Sequence, residues 1–158
     1  MTLITSCLYA FGGSFAFAFV FNIPKNKLVL SAIGGLLGQL TYIIFQTIIS
    51  NDVALYFLAT IAISLYAEIL ARVTKSPTTL FLAVALIPLV PGGGVYYTMV
   101  YLLQENIELG VTTGLHTLGI SGALAMGIIL VSSSFNLIRK VMIHNKRKKK
   151  AVAISYKE

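Results

Sequence analysis

Two prolines and three consecutive glycines interrupt an apolar stretch, in the segment Leu86-Ile-Pro-Leu-Val-Pro-Gly-Gly-Gly-Val-Tyr-Tyr-Thr-Met99. Neither residue type continues a regular helix, because proline lacks a backbone N–H and glycine loses much conformational freedom. Hydrocarbon holds no water to satisfy an interrupted backbone, so such a break survives only inside protein or beside a water-filled cavity. The segment predicts a discontinuous membrane helix, which is a device that transporters use to bind substrates.

The break favours a zwitterionic ligand. A helix that restarts after the glycines offers free backbone N–H groups and a positive dipole end, which favour a carboxylate. The carbonyl groups before Pro91 face the other way and favour an ammonium group. The candidate substrate-binding residues are Pro88, Pro91, Gly92, Gly93, Gly94, Tyr96, Tyr97 and Thr98. The alternative is a gap in the helix that a neighbouring helix fills; a phosphate loop is disfavoured, since no lysine or acidic metal ligand follows.

A polar residue recurs at every fourth position of another apolar stretch, at Asp52, Tyr56, Thr60, Ser64, Glu68 and Arg72. Residues at that spacing lie along one ridge of a helix, and a ridge facing lipid would not be polar throughout. We expect this ridge to face another helix or a hydrated path. Glu68 is the candidate for carrying a coupling proton, because an acid within or near a span is a functional hypothesis by default. The alternative is a packing contact in which Glu68 pairs with Arg72.

The composition is that of an integral membrane protein. Of the 158 residues, 57% are hydrophobic and 11% charged, whereas about 25% of a soluble domain is charged. One cysteine excludes an internal disulfide, and it lies too far from the two histidines for metal-ligand spacing. We therefore expect no catalytic residues, no metal and no cofactor. The net charge of +7 is not a nucleic-acid signal, because seven of the twelve basic residues lie between Arg139 and Lys150, beyond the last apolar stretch.

Five stretches are long enough to cross a bilayer as helices, which takes about 20 mostly apolar residues each. They cover approximately residues 2–21, 28–49, 53–73, 78–103 and 111–138, and the fourth is the broken one. The sequence thus predicts an all-α membrane domain over residues 1–138. Residues 139–158 form a basic cytoplasmic tail, whose lysine-rich part we expect to be disordered.

Connections that carry basic residues alternate with connections that carry only acidic ones. Lys25 and Lys27 flank the first connection, Arg72 and Lys75 flank the third, and the cluster from Arg139 follows the fifth stretch. The second and fourth connections carry acids and no basic residue. Since cytoplasmic loops carry the excess of lysine and arginine, we expect the N-terminus outside and the C-terminus inside. This agreement also predicts that the broken fourth stretch crosses the membrane completely.

Two motifs resemble the small subunit of the split threonine/serine exporter family. The more specific one is Ile87-Pro-Leu-Val-Pro-Gly-Gly-Gly-Val-Tyr-Tyr-Thr-Met99, and the other is Val20-Phe-Asn-Ile-Pro24. With the length and the number of spans, the resemblance covers nearly the whole chain up to the basic tail. It implies a half-transporter in a bacterial plasma membrane that exports threonine and serine with the proton gradient. It also implies a larger partner subunit with a cytoplasmic N-terminal domain.

Other functions stay open beside this one. Some split members of the family are associated with succinate export, so a dicarboxylate exporter subunit is one alternative. No basic residue lies between Lys75 and Arg139, so the partner would have to supply the positive charge. An accessory or scaffolding subunit without a substrate site is another, whereas an enzyme is disfavoured because acid, histidine and metal clusters are missing. Five spans would place a tandem partner half upside down, as in transporters with inverted repeats.

Overall fold

A computed structural model describes the backbone of residues 3–155 and the side chains of residues 3–141. The described chain is all-helical, and its helices are α1 (Leu3–Val20), α2 (Lys25–Gln46), α3 (Asp52–Val73), α4 (Thr78–Leu86), α5 (Gly92–Leu103) and α6 (Ile107–Ser155). A short 3-10 turn, Ile87–Leu89, follows α4. Four helices, α1, α2, α3 and α6, are individually long and apolar enough to cross a membrane. The α4 and α5 segments qualify as a pair bent by 49°, so the chain has four candidate spans, or five if the bent pair is one crossing.

The residues at the helix ends explain where α2, α3 and α4 begin. Pro24 and Pro77 directly precede α2 and α4, and proline disfavours helical backbone in the residue before it. Asn51 caps α3, because its side-chain oxygen accepts hydrogen bonds from the backbone N–H groups of Val53 and Ala54 at 3.0 and 3.4 Å. The first four expected stretches differ from the observed helices by three residues or fewer at each end.

The last helix is much longer than expected. It begins at Ile107, four residues before the expected start at residue 111, and continues to Ser155. The expectation of a disordered lysine-rich end is therefore wrong for the backbone up to that residue. Lysine and arginine are good helix formers, so a change from apolar to basic composition does not by itself stop a helix.

Small residues on α2 allow four other elements to approach it closely. A Cβ on Gly34 would lie 2.7 Å from Ala85 Cβ, and one on Gly38 would lie 2.9 Å from Ile63 Cγ2. Between them, Gly35 lies against Ser14 of α1 and Pro88 of the 3-10 turn. Such close packing of small residues is what holds membrane helices together. The result is that α4 lies among α1, α2 and α3, whereas α5 packs against α6.

The contacts along α6 define the directions of its neighbours. On α3, Val53 lies beside Gly119 and Thr60 beside Gly127, so α3 and α6 run parallel. On α5, Thr98 lies beside Gly114, and Leu102 lies beside Gly110 nearer the start of α6, so α5 runs antiparallel to α6. The chain between α3 and α6 therefore returns from one end of the helix bundle to the other.

Replacing Gly35 by valine should destabilise the helix bundle. A Cβ there would lie 2.9 Å from Ser14 Cβ and 3.2 Å from Pro88 Cγ, and overpacking of this kind costs about 1–3 kcal/mol. The measurement is the unfolding midpoint of the purified chain in detergent. The matched control is Gly12→Val on α1, where an added Cβ would meet nothing within 4 Å. Equal midpoints for the two variants would contradict this account of the packing.

Candidate functional site

The Pro/Gly break is a short interruption with part of its backbone still hydrogen-bonded. After the 3-10 turn, Val90 is extended, with φ −63° and ψ 126°, and Pro91 has φ −77° and ψ 55°. The N–H of Gly92 donates to the Val90 carbonyl at 2.8 Å, and the N–H of Val95 donates to the Pro91 carbonyl at 3.2 Å. The new helix starts at Gly92, with no side-chain cap on its first turn. The expectation that the helix restarts only after the three glycines is therefore wrong, because glycine can adopt helical backbone angles as other residues do. The interruption is thus compact, and its unusual feature is the glycine backbone that follows it.

Protein covers the break on two sides and leaves a third side open. Pro88 is half-buried and contacts the Gly35 backbone of α2, while Gly94 contacts Thr117 of α6. By contrast, a Cβ added to Gly92 or Gly93 would meet nothing within 4 Å. The break is therefore partly filled by neighbouring helices, as the packing alternative requires, and partly accessible, as a binding site requires.

The three candidate hydroxyl residues after the break do not point to one place. Tyr96 and Tyr97 are 64% and 53% exposed, and their rings contact each other with centroids 5.3 Å apart. Thr98 instead lines an apolar groove of about 220 Å³ between α5 and α6, beside Thr117. Its hydroxyl donates to the Gly94 carbonyl of its own helix at 2.7 Å. Within this chain, these side chains do not enclose a substrate.

The polar ridge of α3 faces α6. The Asp52 carboxylate lies 3.8 Å from His116 Nε2 at one end of the ridge. Thr60 contacts Gly127 in the middle, and the Arg72 guanidinium lies 4.5 Å above the Phe135 ring at the other end. The expectation that the ridge faces another helix is thus met by the geometry, and the ridge is closed by packing along its middle.

A polar pocket of about 460 Å³ surrounds Glu68. It is lined by Glu68, Ala71 and Arg72 of α3, by Ser76 and Thr78 at the start of α4, and by Asn136 and Arg139 of α6. The Glu68 side chain is 15% exposed, and its carboxylate lies 3.7 Å from the Arg72 guanidinium. That separation is an ion pair, but it exceeds the usual length of an N–H···O hydrogen bond. The pocket therefore combines one carboxylate with two guanidinium groups.

Asn136 and Arg139 lie beside Glu68, which is not expected from the sequence. The two residues are three positions apart and share a face of α6 with Phe135. That spacing predicts a polar face near the end of the apolar part of α6. It does not predict which helix packs against this face, and only the structure shows that α3 does.

The Glu68 pocket and the Pro/Gly break are two separate places. Gly94 contacts Thr117 of α6, whereas Glu68 shares its pocket with Asn136. These two positions on α6 differ by nineteen residues, which is about 28 Å along a helix. The ionisable pair nearer the break is Asp52 with His116, since His116 directly precedes Thr117.

The chain is similar to proteins of known family. The family described as "Threonine/Serine exporter, ThrE" matches residues 6–134. A protein of Haemophilus influenzae described as "Uncharacterized protein" is 28% identical over 138 residues, which cover 82% of this chain. Because the match covers 46% of that protein, the chain spans about half the length of this curated relative. No solved structure matches.

Two buried serines should respond differently to replacement by alanine. The Ser14 hydroxyl donates to the Val84 carbonyl at 3.3 Å, whereas the buried Ser64 hydroxyl has no hydrogen-bond partner among the described residues. Ser14→Ala should cost about 1 kcal/mol of unfolding free energy, and Ser64→Ala should cost nothing or stabilise slightly. Denaturant titration of the two variants measures both changes. A larger loss for Ser64→Ala than for Ser14→Ala would show that the Ser64 hydroxyl has a partner in the protein.

Proposed function

The chain belongs to the threonine/serine exporter family, and we propose that it is the smaller membrane subunit of a proton-driven exporter of threonine- or serine-type amino acids. It is a multi-pass membrane protein, with four or five helices of membrane-spanning length. Transport by this family is not an enzymatic function, and the proposal assigns no catalytic residue. The observation that carries it is the family match over residues 6–134, which includes the whole Pro/Gly break.

The chain works as one half of the exporter, together with a larger partner that contributes a cytoplasmic N-terminal domain. Two observations support an incomplete transporter. The chain spans only about half of its relative, 46% of that protein's length. In addition, α5 has no buried residue, and Gly92 and Gly93 are open on one side. A partner covering this side would complete a substrate site whose backbone groups come from the break.

The directions of the helices support five crossings. Since α3 and α6 run parallel, the segment that joins them has to return across the bundle, and the bent α4–α5 pair makes that return. The basic residues Lys27, Arg72 and Arg139 then share one end of the bundle. By the positive-inside rule, this end is cytoplasmic, with the N-terminus outside and the C-terminus inside. An odd number of spans suits an inverted arrangement with the partner half.

A dicarboxylate exporter subunit is the second candidate. A dianion needs positive charge, and the sequence places no basic residue between Lys75 and Arg139. The fold nevertheless brings Arg139 to Arg72 in one pocket. This pair favours a carboxylate-bearing substrate, although Glu68 in the same pocket opposes a second negative charge.

Threonine export should require both this chain and its larger partner. The measurement is threonine release from cells loaded with a threonine-containing dipeptide, comparing this chain, the partner and both together. Release should rise above background only with both, because each half supplies part of the path. Release by the partner alone at the full rate would reduce this chain to a scaffold, and release of succinate instead of threonine would support the dicarboxylate alternative.

Replacing Gly93 by leucine should abolish export in the same assay while leaving the chain inserted. A Cβ on Gly93 meets nothing within 4 Å, so the added side chain fills the open side of the break without displacing a packed neighbour. Gly122→Leu on α6 is the matched control, since Gly122 also has open space around it. If Gly93→Leu exports as well as the control, the break is not the substrate site.

A further inference from the structure

We propose that the Glu68 pocket is a binding site for the zwitterionic head of an α-amino acid, through which the substrate enters from the basic end of the bundle. The direction in which the substrate enters rests on the proposed function, export from the cell. It adds a site about 28 Å along α6 from the Pro/Gly break. The site is made entirely of residues of this chain, from α3, α6 and the start of α4.

The pocket presents opposite charges close together. Glu68 and Arg72 are 3.7 Å apart, too far for a tight hydrogen bond, so both retain hydrogen-bonding capacity. The Arg72 guanidinium lies over the Phe135 ring at 4.5 Å, and this cation–π contact restrains its position. Glu68, at 15% exposure, is the more buried partner. A carboxylate held partly out of water is a strong acceptor for an ammonium group.

Residues from the facing elements complete the recognition of a carboxylate. Arg139 adds a second guanidinium from α6, and Asn136 adds an amide one turn before it. Lys27 Nζ donates to Ser76 Oγ at 2.5 Å, so this part of the pocket's lining has a further cation behind it. Arginine binds carboxylates with two parallel N–H donors, which fixes their orientation. We therefore place the substrate carboxylate at Arg139 and its ammonium group at Glu68.

Glu68 is the group that favours an amino acid over a dicarboxylate, because the other charged groups at this end, Arg72, Arg139 and Lys27, are all cations. The lining holds two arginines and one glutamate, so one ligand carboxylate and one ligand ammonium can each face an opposite charge. The second carboxylate of a dianion would instead meet Glu68. A volume of about 460 Å³ also lies within the usual range of small-molecule pockets.

This arrangement gives Glu68 a way to link substrate to protons. A protonated carboxyl group carries no charge and cannot form an ion pair with the ammonium group. A proton and the substrate ammonium group would therefore compete for the Glu68 carboxylate. Competition of this kind is what proton-driven export needs at the side where the substrate is loaded.

The test is binding of radiolabelled threonine to the purified full chain in phosphatidylcholine nanodiscs. Arg139→Gln should weaken binding about tenfold or more, the usual effect of losing a hydrogen bond to a charged group. Lys140→Gln is the matched control, because it removes the same charge from the neighbouring position, which does not line the pocket. Glu68→Gln should weaken threonine binding and strengthen binding of radiolabelled succinate.

Four outcomes would overturn the proposal. One is wild-type protein that binds no threonine, and a second is equal effects of Arg139→Gln and Lys140→Gln. A third is wild-type protein that prefers succinate, with Glu68→Gln leaving the preference unchanged. The fourth is loss of threonine binding when phosphatidylglycerol is added to the nanodiscs, which would assign the pocket to a lipid headgroup. Export is measured separately, so threonine binding without export would refute the proposed function and leave the pocket standing.

Discussion

A backbone break between apolar helices needs protein around it, and the arrangement of the helices follows from that requirement. The 3-10 turn lies against α2, where Gly35 and the small Ser14 of α1 leave room for Pro88. Beyond the turn, Gly94 lies against Thr117 of α6. The chain thus passes at the break from contacts with α1, α2 and α3 to contacts with α6, so α4 and α5 have different neighbours. Small residues on both sides make the transition sterically possible.

Helix α6 connects the two regions proposed to bind the substrate. Its first half contacts α5 just beyond the break, and its later turns close the Glu68 pocket. The spacing of these contacts, about 28 Å, is close to the hydrocarbon thickness of about 30 Å. Between them, Thr60 packs on Gly127, and both Thr60 and Ser64 of the ridge are buried. Passage between the two regions along this chain would therefore require α3 and α6 to separate, or a path formed with the partner.

Periodicity in the sequence predicted features that belong to a single helix, and tertiary contacts decided the rest. The four-residue spacing from Asp52 to Arg72 correctly indicated a ridge that faces protein. The same spacing could not show that Arg139 joins Glu68, because α3 and α6 are far apart in the chain and their pairing depends on the bundle. Nor could it show that Tyr97 points outward while Thr98 turns toward α6, since adjacent residues on a helix face different directions. For the same reason, the sequence could not show that Glu68 and the break lie far apart, because they belong to different helices.

The length of α3 indicates which part of the chain has the least protein around it. Asp52 and Arg72 are twenty positions apart, or about 30 Å along the helix, which matches the thickness of the hydrocarbon. His116 of α6 lies beside Asp52 at the start of α3, and α6 begins nine residues before His116. This first part of α6 extends beyond α3, and α5 runs alongside it. Both segments therefore continue past the end of α3, yet they expose apolar side chains such as Met99 and Leu103. Residues of this kind are costly in water, so in a two-part exporter this hairpin is the region that needs the second half most.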